Sequence, residues 1–203
     1  MCTAKLQKPC RPDTMECTRN VKQSSSKVQS NASTNVPYKI ASVVRNDQGS
    51  ITVYTLPSAI CQTRVFGVAT ASNACTVIST LCARAFLSST LSPPFSSNEL
   101  THAVNKYEQI IQTGNILYRQ LHLPLGQPNL EVREVINKIQ HLNLAITEDV
   151  GYFHVTELIE KLNNLLDSNT KHAGVLIVPA ARSYTVLIEQ GNIALFDSHQ
   201  HGV

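Results

Sequence analysis

The segment that organises this chain reads SNACTVISTLCARAFL and covers residues 72–87. Its polar start, Ser72-Asn73, offers side-chain oxygens that can accept hydrogen bonds from the first N–H groups of a helix. From Cys75 onward almost every residue is small or apolar, which is typical of a helix buried on most of its surface. We therefore predict that a central, buried helix begins near Cys75, with Ser72 or Asn73 as its N-cap.

Three further amphipathic segments follow this helix. In each of them apolar residues recur every three or four positions, which is the period of a helix with one buried face. The first of these three segments follows a cap at Ser97 or Asn98 and is interrupted at Gly114. The other two cover residues 130–142 and 155–166. Helices therefore dominate the middle of the chain.

The pattern changes from helix to strand near residue 174. Three short apolar runs, at residues 174–178, 184–188 and 193–199, are separated by polar or turn residues. Strands of this length joined by short turns are typical of an antiparallel meander. A hairpin is predicted earlier, with strands at 38–44 and 51–54. Helices followed by a meander predict an α+β fold, with the helices packed on one antiparallel sheet.

The start of the chain differs in composition from the rest. Residues 1–36 are rich in Ser, Lys, Gln, Asn and Thr, and they cannot bury enough apolar surface to offset the entropy of ordering. Residues 1–50 carry eight Lys or Arg against three Asp or Glu, whereas residues 51–203 carry nine against eleven. We therefore predict a disordered basic tail over 1–36 and one domain over 37–203. The tail lacks interleaved aromatic residues, so we expect no nucleic-acid partner.

The cysteine pattern and the hydropathy exclude several classes of protein. None of the six cysteines forms a C-x-x-C pair, so a zinc site built from them would lack close ligands. We expect no metal and no other cofactor. No stretch approaches the ~20 continuous apolar residues of a membrane span, and no apolar signal region follows the first residues. We therefore expect reduced thiols and no membrane partner. We also expect a monomer. Its expected location is the cytoplasm or nucleus, or the host cytosol for a pathogen's protein.

The strongest chemical signal is Asp197-Ser198-His199 at the end of the last predicted strand. Residues two apart in a strand share a face, so the carboxylate and the imidazole are expected side by side. Such a carboxylate holds the tautomer of the imidazole and stabilises its charged form. Cys75 fits as the nucleophile because a helix N-terminus lowers the pKa of a thiol. A thiolate beside an imidazolium is the reactive pair of cysteine peptidases.

Other cysteines and histidines are weaker candidates for this chemistry. Cys82 falls two turns after Cys75 in the same predicted helix, where desolvation would raise its pKa. Cys61 does not stand at a helix start. His201 shares the predicted strand face of His199 and stays open as an alternative base. A metal site at these two histidines lacks an evident third ligand.

Four stretches, taken in order, carry a resemblance to a known family. They are residues 72–79, residues 99–118, residues 155–158 with the strand 174–178, and residues 184–186 leading to 196–199. In these stretches the chain resembles the N-terminal ubiquitin-specific protease domain of herpesvirus large tegument proteins and their tegument-like relatives in bacteria and eukaryotes. The resemblance covers roughly residues 57–202 and implies a papain-like cysteine peptidase fold.

The resemblance also implies roles for individual residues. The family's nucleophile maps to Cys75, and its catalytic Asp-x-His maps to Asp197 and His199. An upstream glutamine of the family maps to Gln62, whose side-chain amide would donate to the oxyanion of the tetrahedral intermediate. The backbone N–H of Cys75 would be the second donor.

The activity that the resemblance implies is that of a thiol-dependent deubiquitinase. Such an enzyme hydrolyses the isopeptide or peptide bond that follows the C-terminal Gly-Gly of ubiquitin, so the expected partner is ubiquitin or polyubiquitin. Two alternatives stay open. One is a catalytically inactive ubiquitin-binding module of the same fold, and the other is a cysteine peptidase for another ubiquitin-like modifier.

Overall fold

The computed structural model describes the chain in separate stretches. They are residues 2–6, 40–46, 49–54, 56, 60–65, 68–69, 72–93, 100–121, 123, 129–149, 151, 154–179 and 182–199. The chain divides into two compact units. The larger unit combines residues 1–7 with residues 58–203, and the smaller unit covers residues 8–57.

The described residues form nine strands and four α-helices. In chain order the strands are β1 (Cys2–Leu6), β2 (Ile40–Asn46), β3 (Gly49–Tyr54), β4 (Arg64–Val65), β5 (Val68–Ala69), β6 (Leu144–Asp149), β7 (His172–Val178), β8 (Arg182–Glu189) and β9 (Asn192–Asp197). The helices are α1 (Cys75–Leu87), α2 (Leu100–Gln120), α3 (Val132–Lys138) and α4 (Val155–Leu166). This content confirms the α+β class.

One five-stranded sheet organises the larger unit. Its strand order is β6-β1-β7-β8-β9, and all neighbouring strands are antiparallel. Strands β7, β8 and β9 form the three-stranded meander that the sequence predicts. Strand β1 corrects the sequence analysis, because its residues fall in the segment predicted to be disordered. Its main chain pairs with β6 on one side and β7 on the other, and backbone pairing does not need large apolar side chains.

Helices α1 and α4 pack on opposite faces of this sheet. On one face the Thr185 hydroxyl of β8 donates to the carbonyl oxygen of Ser79 in α1 at 3.1 Å. On the other face Val186 and Ile188 of β8 are buried against leucines of α4. Successive strand residues point to opposite faces, so β8 anchors both helix layers. Eleven of the 13 residues of α1 are buried, which confirms the predicted central helix.

Helix α2 continues through Gly114, where the sequence analysis predicted an interruption. A Cβ atom at this position would overlap Cγ1 of Ile78 and would lie 3.1 Å from its Cα. Gly114 therefore lets α2 approach the α1 backbone closely, and its role is packing and not helix termination. At another point of α2, the ring of Tyr107 stacks on Phe196 of β9 with centroids 4.5 Å apart.

The remaining helices agree with the sequence analysis to different degrees. Helix α4 covers the predicted residues, whereas α3 is shorter than the helix predicted over 130–142. A separate 3₁₀ turn, Gln140–Leu142, follows α3, and Asn143 then adopts a φ of 51°. Asn tolerates this left-handed conformation, which ends the helical segment and leads into β6.

The smaller unit contains the predicted hairpin. Strands β2 and β3 are antiparallel, and the last register pair joins Asn46 to Gly49. The structure assigns this hairpin to a unit separate from the one that begins again at residue 58, whereas we predicted a single domain over 37–203. None of the helices in the described part of the chain is long and apolar enough to cross a membrane.

Candidate active site

Cys75 is the first residue of α1 and is 3% exposed. The N-cap is Ala74, which carries no side-chain cap, so the predicted cap at Ser72 or Asn73 is wrong. The Ser72 hydroxyl instead donates to Oδ1 of Asn115 at 2.5 Å and accepts the N–H of Ala74 at 3.3 Å. The Ser72 hydroxyl, which the local sequence suggests as a helix cap, therefore makes a tertiary hydrogen bond to α2.

Asp197 and His199 are brought together by a turn, not by strand alternation. Strand β9 ends at Asp197, so His199 lies beyond the strand. One carboxylate oxygen, Oδ1 of Asp197, accepts hydrogen bonds from the backbone N–H of His199 at 2.9 Å and from its Nδ1 at 2.5 Å. This is an Asx turn, in which the carboxylate fixes both the chain direction and the ring. Nε2 is then the ring nitrogen that faces the sulfur of Cys75.

Cys75 and His199 shift each other's pKa in the direction of an ion pair. Burial alone would raise the pKa of Cys75, but hydrogen bonds from His199 and Ser183, together with the charge of His199, outweigh burial and lower it. The pKa of His199 is raised to about 9, first by its hydrogen bond to Asp197 and then by its hydrogen bond to Cys75. Between these two pKa values the pair is a thiolate and an imidazolium.

The buried side chain of Gln62 connects the two halves of the site. Its Nε2 donates to the carbonyl oxygen of Ser72, three residues before Cys75. Its Oε1 accepts the hydroxyl of Ser198 at 3.2 Å, and its backbone N–H donates to the carbonyl oxygen of the same residue at 2.8 Å. Ser198 directly precedes His199. An amide nitrogen carries two N–H donors, and the bond to Ser72 engages one of them.

Asn115 supports this arrangement from α2. It is 1% exposed, and its two side-chain groups have separate partners. Its Oδ1 accepts the Ser72 hydroxyl, and its Nδ2 donates to the carbonyl oxygen of Ile111 at 3.0 Å. A continuous polar chain therefore runs from α2 through Ser72 and Gln62 to Ser198. The sequence analysis did not assign Asn115 a role, although a polar residue inside an apolar helix pattern is a usable signal.

Sequence reasoning also missed Ser183, the second residue of β8. Its side chain and its backbone both hydrogen-bond to Cys75, and its hydroxyl lies 2.9 Å from that of Thr76. Ser183 and Thr76 are 1% and 3% exposed. The available signal was a strand whose buried face carries the hydroxyl residues Ser183 and Thr185 in place of aliphatic ones.

Two aromatic side chains border the reacting groups. Tyr118 of α2 hydrogen-bonds to Asn73, and burial followed by the nearby Cys75 charge raises its pKa. The ring of Tyr184 in β8 lies 6.0 Å from the His199 ring, with the two planes tilted by 48°. Both tyrosines are partly exposed, so they are available to contact a substrate.

The weaker candidates of the sequence analysis have other surroundings or lie outside the described residues. Cys82 is fully buried, and desolvation raises its pKa to about 12. The sulfur of Cys61 contacts the Thr63 hydroxyl at 3.4 Å. His201, the alternative base, falls in a stretch that the structure does not describe. The described residues contain no group of three or more His, Cys, Asp or Glu side chains that could hold a metal ion.

Comparison with known proteins found no match among protein-family models, curated proteins or solved structures.

Proposed function

We propose that this chain is a cysteine peptidase in which Cys75 is the nucleophile, His199 the general base and acid, and Asp197 the residue that orients His199. One observation carries the proposal: the imidazole of His199 is hydrogen-bonded to Asp197 through Nδ1 and to Cys75. The lowered pKa of the thiol and the raised pKa of the imidazole support the same assignment.

The proposed reaction has two steps. The Cys75 thiolate attacks the carbonyl carbon of the scissile amide, a C–S bond forms, and Nε2 of His199 gives its proton to the leaving amine as the C–N bond breaks. A water molecule then attacks the thioester while Nε2 takes one of its protons. The C–S bond breaks, the acid is released, and the imidazolium–thiolate pair is restored. Throughout, Asp197 keeps the Nδ1 proton in place.

Gln62 is the proposed side-chain donor to the oxyanion. Its amide already donates to the carbonyl of Ser72 and is fixed at Oε1 by the Ser198 hydroxyl. A donor fixed in advance stabilises developing charge without reorganising during the reaction. The backbone N–H of Cys75 is the proposed second donor.

For the substrate we propose the C-terminus of ubiquitin, on the basis of the resemblance to tegument-type ubiquitin-specific proteases. Tyr118 and Tyr184 border the reacting groups, and a Gly-Gly tail brings no side chains that must fit beside them. The nucleophile at the start of a buried helix and the histidine just after a strand support the papain-like fold that we propose together with this activity. The inactive ubiquitin-binding module and the peptidase for another modifier are the outcomes that the test must separate.

The test is covalent capture by ubiquitin that carries a C-terminal propargylamide in place of its carboxylate. The probe is expected to add one ubiquitin mass to the full chain. Cys75→Ala should abolish the adduct, whereas Cys82→Ala, on the same helix, should retain it. Circular dichroism establishes that each variant is folded.

Two results would overturn the proposed substrate or activity. Capture by a probe built on another modifier, with none by ubiquitin, would assign a different substrate to the same chemistry. Ubiquitin binding by the folded wild-type chain without any adduct would indicate a non-catalytic module.

A further inference from the structure

Ser183 lies where β8 passes beyond its pairing with β9. The last register pair between the two strands joins Tyr184 to Asp197, so Ser183 is one residue outside the paired segment on that side. On its other side it is paired with Ile177 of β7. The strand therefore presents Ser183 to the start of α1 from a position that the sheet fixes.

Two groups of Ser183 reach the nucleophile. Its backbone and its hydroxyl each hydrogen-bond to Cys75, and the same hydroxyl lies 2.9 Å from Oγ1 of Thr76. We propose that Ser183, supported by Thr76, is a second donor site for the Cys75 thiolate, acting from strand β8 in addition to His199. This inference rests on the proposed role of Cys75 as nucleophile.

The arrangement of protons follows from what each group can donate. A thiolate only accepts, so the Ser183 N–H and O–H both donate to the sulfur. The Thr76 hydroxyl then donates to the Ser183 oxygen, which strengthens the O–H that points at the charge. Hydrogen bonds to an ionised partner are about twice as strong as those between neutral groups. The pair therefore favours the thiolate over the thiol.

The rigid setting makes this donor site effective. Ser183 and Thr76 are almost fully buried, so water does not compete for the hydroxyls. Donors held by a strand and a helix need no reorganisation when the sulfur ionises or when it is released from the thioester. Ser183 thereby acts on both halves of the catalytic cycle.

Thr185 is a matched control two residues along the same strand. It is also fully buried, and its hydroxyl also bonds α1, through the Ser79 carbonyl at 3.1 Å. That hydrogen bond joins strand to helix as the Thr76–Ser183 bond does, but the pKa of Cys75 responds to Ser183, whereas Thr185 hydrogen-bonds to the other thiol, Cys82. A purely structural role for Ser183 predicts equal consequences when either hydroxyl is removed.

The experiment measures the rate of iodoacetamide alkylation at Cys75 as a function of pH in the full chain, with the modified peptide quantified by mass spectrometry. Ser183→Ala should raise the midpoint by roughly one pH unit, since a hydrogen bond to a charged group is worth about one such unit. Thr76→Val should raise it by less. Ser183→Thr keeps the hydroxyl, so its midpoint should stay close to that of the wild type. Thr185→Val should leave the midpoint unchanged.

An unchanged midpoint in folded Ser183→Ala would overturn the inference, as would an equal shift in Thr185→Val. The reagent needs no ubiquitin, so this result is independent of whether ubiquitin is the substrate. If the wild-type chain shows the expected alkylation midpoint but is not captured by the ubiquitin probe, that result would count against the proposed substrate alone.

Discussion

Helix α1 carries two buried cysteines seven residues apart, and the two ends of this segment have opposite chemistry. Cys75, at the first turn, has its pKa lowered, whereas desolvation raises the pKa of Cys82 to about 12. Both sulfurs are buried, and both lie against β8, Cys75 near Ser183 and Cys82 near Thr185. Burial therefore does not decide reactivity here.

The difference lies in the number and charge of the donors. Cys82 has one neutral hydroxyl beside it, that of Thr185, whose proton is already donated to the carbonyl oxygen of Ser79, against complete desolvation. Cys75 has the His199 imidazolium and two groups of Ser183, and these outweigh its desolvation. The same helix and the same strand thus hold an inert thiol in their middle and a reactive one at the edge, where the turn after β9 places a histidine.

The largest predicted contrast is between the two thiols in one native molecule. At pH 7, iodoacetamide should modify Cys75 at least about a thousandfold faster than Cys82, because a thiol with a pKa near 12 is almost entirely protonated. Mass spectrometry of the two peptides measures the ratio. In urea the two rates should converge. Similar rates in the native protein would contradict the difference in pKa between the two thiols.

The second prediction removes the charged donor. His199→Ala should lower kcat/KM for a fluorogenic ubiquitin substrate by about 10²–10⁴-fold, since general acid–base catalysis contributes about that much. It should also raise the pKa of Cys75, because His199 is the strongest of the influences that lower it. The exposed His141 supplies the control His141→Ala, which should retain wild-type values.

The third prediction concerns the carboxylate that orients this histidine. The hydrogen bond and charge of Asp197 raise the pKa of His199 to about 9, so Asp197→Asn should lower it and move the alkaline limb of the activity profile to lower pH. The sign follows because activity needs the imidazolium, which is lost as pH rises through the pKa of His199. A pH profile of kcat/KM measures the shift, with Asp167→Asn, at an exposed carboxylate, as control. An alkaline limb that stays at the wild-type pH would show that Asp197 does not raise the pKa of His199.

The start of α1 at Cys75 and the pairing of Asp197 with His199 could be predicted from sequence, because the apolar run and the Asp-x-His are local patterns. The details depend on contacts between remote residues. Ser72 matches a cap, but Asn115, 43 residues away, takes its hydroxyl. Gly114 matches the pattern of a helix break, but its role is to let α2 pack closely against Ile78. The hydroxyl residues Ser183 and Thr185 mark an unusual strand face, but nothing local shows that the start of this strand lies beside the Cys75 thiol.

Strand β1 illustrates the same limit at the level of the fold. Its five residues lie in a polar segment, yet they pair with β6 and β7, which begin more than a hundred residues later. Residues 2–6 do alternate apolar and polar side chains, but five residues are too short a pattern to identify a strand inside a polar segment when the pairing strands are not yet known. The polar composition therefore predicted disorder for the whole stretch.

The smallest predicted effect tests the packing between the two thiols. Gly114→Ala places a Cβ against Ile78, which lies on α1 between Cys75 and Cys82, and should lower the free energy of unfolding by about 1–3 kcal/mol. Urea denaturation measures it, with the exposed neighbour Thr113→Ala as control. Unchanged or increased stability would show that α2 is free to move away from α1.

The central claim is that Cys75 is a thiolate paired with the His199 imidazolium, and its titration in the folded chain tests this most directly. Thiolate absorbance at 240 nm is followed with pH for the wild type, and the same curve for Cys75→Ala is subtracted. An ion pair at this site predicts a midpoint clearly below the ordinary thiol value of 9.0, and this midpoint should rise in His199→Ala. A difference curve with a midpoint at or above 9.0 would contradict it.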